Sequence, residues 1–214
     1  MPTSSITKRT PLRATFFYPG DLLLFAGGNW ESRAIALATC SPAQLLVGQW
    51  FSHVGICAAY RGRMLLFEST TLCDLACAIQ RRPVRGPQAH EPRVRIASYA
   101  GRVWRLRLDA RHRLSSADDR RLSDFLVGKL GDGYDYEGAA ISGTRLLRLA
   151  RSIYPSLDKL FCSAYAMGAL KDVGVVDRDL NPAAYSPARM ARDLQWWGTY
   201  QALGRRGGES VRVK

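Results

Sequence analysis

The chain has no long apolar run and no apolar segment close to its N-terminus. Its longest purely apolar stretches are a handful of residues, whereas a helix that crosses a bilayer needs about 20. Polar and basic residues precede Phe16, so no secretory signal is predicted. No internal repeat is found, and Gly27-Gly28 lacks the following Lys-Ser/Thr of a phosphate-binding loop. These absences predict a cytoplasmic protein without a transmembrane segment, although export by a signal-free route would leave no trace in the sequence.

Acidic residues are scarce: the 214 residues include 18 Asp and Glu against 31 Lys and Arg, for a formal net charge of +13. This balance favours contact with an anionic surface, such as nucleic acid, acidic lipid or a cell-wall polymer, without selecting among them. At 47% hydrophobic residues, the chain is long enough for one sizeable core and short for two. We therefore expect a single domain over residues 16–200, a disordered basic arm over 1–15 and a flexible tail over 201–214.

The cysteines do not suggest a disulfide framework, because their number is odd and their surroundings are apolar. We expect five reduced thiols, at Cys40, Cys57, Cys73, Cys77 and Cys162. Cys73, Cys77 and His90 carry side chains that bind zinc, but no fourth ligand follows at a standard spacing. The sequence therefore predicts neither a metal site nor a cofactor.

Two strands joined by a tight turn form the most informative unit. Residues 52–60 and 63–70 are largely apolar, and Arg61-Gly62 separates them. Counting outward from a two-residue turn places His53 and Glu68 on one face, diagonal to each other at roughly 7 Å between backbones. The hairpin therefore predicts that the imidazole and the carboxylate reach each other.

The two faces of this hairpin differ in side-chain size. Gly55 and Cys57 lie beside His53 and are small enough for a helix to pack closely against them. The opposite face carries larger apolar residues and is predicted to pack in the core. These residues are Val54, Ile56, Leu65 and Phe67.

Cys162 opens a run of small and apolar residues, 160–170, that predicts a helix with Gly174 just past its C-terminus. A thiol in the first turn lies at the positive end of the helix dipole, which favours the thiolate. A lone cysteine on an apolar helix more commonly only fills space. Equally, His53 alone fits a hydrogen-bonded histidine at a strand start, and Glu68 alone fits a solvent-facing carboxylate.

Other patterns predict the remaining elements of an α+β domain. Residues 22–25 predict a buried strand, and the alternation over 101–108 predicts a strand with exposed arginines. Ser116 and the acidic residues after it predict a helix that ends at Gly131, and Ser186-Pro187 begins a last helix. Two more helices are expected over 31–38 and 137–151.

Two segments show no clear periodicity. The stretch from Cys73 to Arg95, rich in arginine, proline and glycine, predicts a basic surface loop. The pair Trp196-Trp197 is more often a packing anchor than a ligand platform. The function of both segments is left open by the sequence.

Four short motifs, taken together, resemble those of the NlpC-type papain-like cysteine hydrolases. They are Gly20-Asp21-Leu22, Ser52-His53-Val54-Gly55, Gly133-Tyr134-Asp135 and Phe161-Cys162-Ser163. The cysteine motif follows the histidine motif, an order similar to that of the circularly permuted branch. That branch includes the YiiX/YaeF-like amidases and the lecithin retinol acyltransferase-like proteins.

The resemblance implies a papain-like fold, with a small antiparallel sheet packed against the helix that carries the nucleophile. By the same resemblance Cys162 is the nucleophile, His53 the base and Glu68 the residue that orients it. Tyr134 matches the tyrosine that lines the substrate site. The chain departs from the acyltransferase members, because Phe161-Cys162-Ser163 lacks their asparagine-cysteine-glutamate-histidine context.

The sequence thus predicts a cysteine hydrolase that cleaves an amide bond through an acyl-enzyme on Cys162. The expected substrate is a peptide, a peptidoglycan-type molecule or another acyl amide. Lipid acyl transfer or thioester hydrolysis by the same three residues is one alternative. A basic binding protein without catalytic activity is another.

Overall fold

The structure is a computed structural model that describes residues 16–27, 51–70, 73–131 and 160–202. The helices expected over 31–38 and 137–151, the arm over 1–15 and most of the tail lie outside these ranges. The proposed domain limits therefore stay predictions. Within the described ranges, no helix is long and apolar enough to cross a membrane.

A five-stranded antiparallel sheet forms the centre of this α+β fold. Its strands are β1 (Leu22–Ala26), β2 (His53–Tyr60), β3 (Arg63–Thr70), β4 (Gly86–His90) and β5 (Arg102–Leu106). Their order across the sheet is β4-β3-β2-β1-β5. Four helices are described, namely α1 (Pro92–Ser98), α2 (Ser116–Gly128), α3 (Leu160–Asp172) and α4 (Pro187–Trp196).

The hairpin between β2 and β3 has the predicted register. Arg61 and Gly62 both have positive φ, at 50° and 74°, as a two-residue turn that matches strand twist requires. Tyr60 pairs with Arg63, and the ladder continues to the pair of Gly55 with Glu68. His53 lies diagonal to Glu68 at the beginning of β2, as expected.

The two faces of the sheet carry separate apolar clusters. One face, with Val54, Ile56 and Phe67, packs in the same cluster as residues of α2, α3 and α4. The other face, with Phe25 and Cys57, packs against α1 in a smaller cluster. Helix α3 therefore lies on the large-residue face, and the helix that packs in the cluster of Cys57 is α1.

The segment from Cys73 to Arg95 is not the predicted surface loop. It contains β4, which pairs with β3 at the edge of the sheet, and the start of α1. An edge strand tolerates Pro87, because the missing N–H faces away from the ladder. Glu91 caps α1 by accepting a hydrogen bond from the Val94 N–H, and Pro92 occupies the first turn.

Two side chains are placed differently from the prediction. Arg105 in β5 is buried: its Nη1 donates to the Phe16 carbonyl at 2.6 Å, and its Nε lies 3.7 Å from Asp21 Oδ2. Trp196 is 86% exposed and is no packing anchor, whereas the ring of Trp197 meets Tyr185 edge-on at 6.4 Å between centroids.

The helix ends agree closely with their sequence signals. Ser115, one residue before the predicted cap, begins α2 with a reciprocal capping box to Asp118. Ser186 caps α4 and Pro187 follows at its first position. Gly174, two residues past the end of α3, has a φ of +75°, and the Val175 N–H donates to the Leu170 carbonyl.

Candidate active site

Cys162 lies in the first turn of α3 and is completely buried. Two neighbours on the helix fix its position. Ser163 Oγ donates to the Tyr185 carbonyl, and Tyr165 OH donates to the Leu126 carbonyl at 2.6 Å. The side chains of residues 160–170 are mostly small and occupy little volume, so α3 can pack closely against the sheet.

His53 connects the two layers at the beginning of β2. Its Nε2 donates to Glu68 Oε2 at 2.6 Å, and its side chain forms a second hydrogen bond with Cys162. Since Nε2 is bound to the carboxylate, Nδ1 is the nitrogen available to the sulfur. The ring of Phe25 lies 5.3 Å from the imidazole and limits its rotation.

The charge state of His53 is set by its two partners. Burial alone would lower the pKa of the imidazole, but the Cys162 and Glu68 side chains raise it to about 9. The protonated ring is thereby favoured at neutral pH. A protonated imidazole beside a cysteine sulfur stabilises the thiolate.

Glu68 is a fully buried carboxylate with a second cationic partner, Arg95 of α1. Arg95 Nε donates to Oε1 at 2.5 Å and Nη2 donates to Oε2 at 3.2 Å. Burial raises the pKa of a carboxyl group, yet His53 and Arg95 hold the pKa of Glu68 at about 2. Glu68 therefore stays ionised while it orients His53.

Arg95 is itself held in place by aromatic rings. Its guanidinium carbon lies 5.0 Å from the Phe25 ring centroid and 5.3 Å from that of Tyr99. Sequence reasoning missed this residue because it was assigned to a surface loop. The available signal was the Glu91-Pro92 helix start, which places Arg95 within the first turn and a half of α1.

A further polar layer lies behind Glu68. His90 Nε2 is 3.7 Å from Glu68 Oε1, 3.7 Å from Cys73 Sγ and 2.9 Å from Gln88 Oε1. Single ligand atoms of Glu68, Cys73 and His90 all lie within 4.8 Å of one another. Cys77 is not part of this group, since its sulfur accepts the Ala89 N–H at 3.3 Å.

The structure thus brings Cys162, His53 and Glu68 together, although they are far apart in the sequence. Tyr134, the fourth predicted site residue, lies outside the described residues. The arrangement can activate a thiol, hold the imidazole in one orientation and keep the carboxylate charged. Those are the requirements of nucleophilic catalysis by cysteine.

Comparison with known proteins adds a weak structural likeness. The chain is similar to the metalloprotein yiiX from Escherichia coli O157:H7, DUF1105, with 19% sequence identity and a TM-score of 0.45. The alignment covers 74% of this chain and 67% of that one. A likeness at this level establishes no shared activity. No protein-family model matches the chain, and no curated protein matches its sequence.

Proposed function

We propose that the chain is a cysteine hydrolase of the permuted NlpC, papain-like type that cleaves amide bonds in peptide or peptidoglycan-type substrates. The observation that carries the proposal is His53, which contacts both the Cys162 sulfur and the Glu68 carboxylate. The order of the sequence motifs, with the cysteine after the histidine, supports the permuted type.

Acylation begins when the Cys162 thiolate attacks the carbonyl carbon of the substrate and forms a tetrahedral intermediate. The backbone N–H of Cys162, in the first turn of α3, is a donor for the oxyanion, and one such donor contributes on the order of 3 kcal/mol. His53 then gives its proton to the departing amine. The carbon–nitrogen bond breaks and a thioester remains on Cys162.

Deacylation uses the same residues in reverse. His53, now neutral, takes a proton from a water molecule as the water attacks the thioester carbonyl. Collapse of the second tetrahedral intermediate releases the carboxylic acid and returns the thiolate beside protonated His53. Glu68 holds the ring in one orientation through both steps, since its other oxygen is held by Arg95.

The nucleophile is tested by alkylation with iodoacetamide at neutral pH, followed by peptide mass spectrometry. We expect Cys162 to react at least about tenfold faster than Cys57, a buried cysteine whose pKa burial raises well above its ordinary value. His53→Ala should remove that difference. Equal rates at Cys162 and Cys57 in the folded wild-type protein would contradict the proposal.

The substrate class is tested by the mass that accumulates on Cys162. Incubation with peptidoglycan peptides should leave a peptidyl thioester adduct on the wild type and none on Cys162→Ala. Incubation with a long-chain acyl thioester serves as the comparison. A fatty acyl adduct without a peptidyl one would replace amide hydrolysis by lipid acyl chemistry.

A further inference from the structure

The polar layer behind Glu68 has no task in the proposed reaction, although burying it is energetically unfavourable. Cys73, Gln88 and His90 are buried side chains at the edge of the sheet, on β4 and the segment before it. Buried polar groups need partners, and each of these points toward the same small volume beside Glu68 Oε1.

Gln88 is held so that its oxygen faces His90. Its amide nitrogen donates to the Thr70 carbonyl at 2.9 Å and to the Gly86 carbonyl at 3.3 Å. A flip of the amide would lose both hydrogen bonds. Oε1 therefore stays 2.9 Å from His90 Nε2.

His90 has an oxygen acceptor on each side of its ring. Nε2 faces Gln88 Oε1, and the ring also bonds the backbone of Ala76. A neutral imidazole carries a single N–H, so it can donate to only one of them. Donation to Ala76 leaves the Nε2 lone pair facing another lone pair. A cation bound by Nε2 uses that lone pair and removes the repulsion.

The spacing of the donor atoms fits one metal ion. His90 Nε2 lies 3.7 Å from Cys73 Sγ and 3.7 Å from Glu68 Oε1, and all three atoms lie within 4.8 Å. Ligands of tetrahedral zinc are about 3.3–3.8 Å apart when the bonds are about 2.0–2.3 Å long. A backbone acceptor on the other ring nitrogen is the usual partner of a metal-bound histidine.

We propose that Cys73 Sγ, His90 Nε2 and Glu68 Oε1 form a zinc-binding site, with Gln88 Oε1 as a fourth donor atom beside it. A mixed sulfur, nitrogen and oxygen donor set selects zinc over magnesium and calcium, which prefer oxygen alone. Cys73 binds as the thiolate, so its proton passes to solvent when the ion enters.

Arg95 limits how tightly the ion is held. Its Nε donates to the same Oε1 at 2.5 Å, and its positive charge repels a divalent cation. Glu68 Oε1 has a second lone pair, which is available to the metal. The other contact of Arg95, from Nη2 at 3.2 Å, is with Oε2 and leaves Oε1 unaffected. We therefore expect reversible binding, weaker than in structural sites with four protein thiolates or imidazoles.

The test is titration of the chelator-treated full chain with Co²⁺, a spectroscopic substitute for Zn²⁺. Binding through Cys73 gives a thiolate-to-cobalt charge-transfer absorption in the near ultraviolet that saturates at one equivalent, and Zn²⁺ displaces it. Cys162→Ala must retain this absorption, which separates the proposed site from the candidate catalytic cysteine. The result is therefore independent of whether the chain is a hydrolase.

Matched variants identify the ligands. Cys73→Ser should abolish the cobalt absorption, and His90→Asn should weaken binding at least about tenfold. Cys77→Ser, four residues away in the same segment, should leave the absorption intact. If a variant fails to fold, as judged by circular dichroism, the thermal shift of the wild type with Zn²⁺ is compared with that of Cys162→Ala. No saturable absorption, its persistence in Cys73→Ser, or its loss in Cys162→Ala would each overturn the zinc site.

Discussion

At the scale of single residues, Glu68 is a buried carboxylate whose two oxygens both have partners. It is fully buried, accepts hydrogen bonds from His53 and Arg95, and lies 3.7 Å from His90. An isolated buried carboxylate would be strongly unfavourable, so its charge depends on these partners. The orientation of His53 depends in turn on that charge.

Removal of Arg95 should therefore destabilise the fold. Arg95→Met keeps the side-chain length but, among the described residues, leaves Glu68 with His53 as its one protonated partner. We expect the free energy of unfolding to fall by about 3–5 kcal/mol, measured by urea denaturation with a chelator present. The loss arises mainly from an uncompensated buried charge.

The double variant Glu68→Gln/Arg95→Met serves as the control. Because it removes the negative charge together with its partner, it should be destabilised by less than the sum of the two single variants. Additive losses would show that Arg95 acts through packing on Phe25 and Tyr99 rather than through Glu68.

At the scale of secondary structure, the β2–β3 hairpin places the histidine and the carboxylate. Arg61 and Gly62 set the register, and Gly55 lies directly opposite Glu68. A slip of one residue would turn one of the two side chains to the opposite face. Close approach of these strands is therefore required for the site.

Gly55→Ala tests that approach. A Cβ at this position would lie 2.7 Å from Leu66 Cδ1 and 3.0 Å from the Phe67 carbonyl oxygen. We expect a loss of about 1–3 kcal/mol in the free energy of unfolding, because the backbone oxygen cannot move independently of β3. Thermal and urea unfolding measure the change.

Gly128→Ala is the matched control for this substitution. Its Cβ would meet no atom within 4 Å at the end of α2. Alanine favours the helix over glycine, so this variant should be stabilised by up to about 1 kcal/mol. If Gly55→Ala is as stable as the wild type, the fold does not require glycine at this position.

At the scale of the whole molecule, the sequence carries a formal net charge of +13. A charge of this size attracts anionic polymers and membranes over a distance set by ionic strength. It fits a peptidoglycan or other acidic substrate surface, and it equally fits a basic binding protein.

Polyanion binding separates these roles. We expect the protein to bind heparin, used as a generic polyanion, with affinity that falls at least about tenfold between roughly 50 and 200 mM salt. Cys162→Ala should bind equally well, because the substitution removes no basic residue. Fluorescence anisotropy of labelled heparin measures the affinity. Salt-independent binding would exclude an electrostatic role for the net positive charge.

Much of this architecture follows from sequence patterns within single segments. The β1 strand, the hairpin register and the ends of α2, α3 and α4 were predictable because periodicity, caps and turn residues act over a few positions. The contact between His53 and Glu68 belongs here, since two strands and a two-residue turn define it.

Other features depended on residues distant in the chain. Strand β4 and helix α1 lack periodicity, and Arg95 and Arg105 look like surface residues until their buried acidic partners are placed. The same holds for Cys73, which meets His90 and Glu68 instead of Cys77. The residue types along one segment cannot predict these buried ion pairs. A charged side chain is buried only where a partner compensates its charge, and that partner lies elsewhere in the sequence.

By itself, then, the sequence determined β1, the β2–β3 hairpin and helices α2, α3 and α4, and it identified Cys162, His53 and Glu68 as candidate site residues. Only the tertiary structure decided that α3 packs on the large-residue face, that Arg95 supports Glu68 and that a second polar cluster lies behind it. The physical reason is the sequence separation of the interacting residues. Helix caps and turn geometry involve neighbours along the chain, whereas charge compensation and core packing involve residues that only folding brings together.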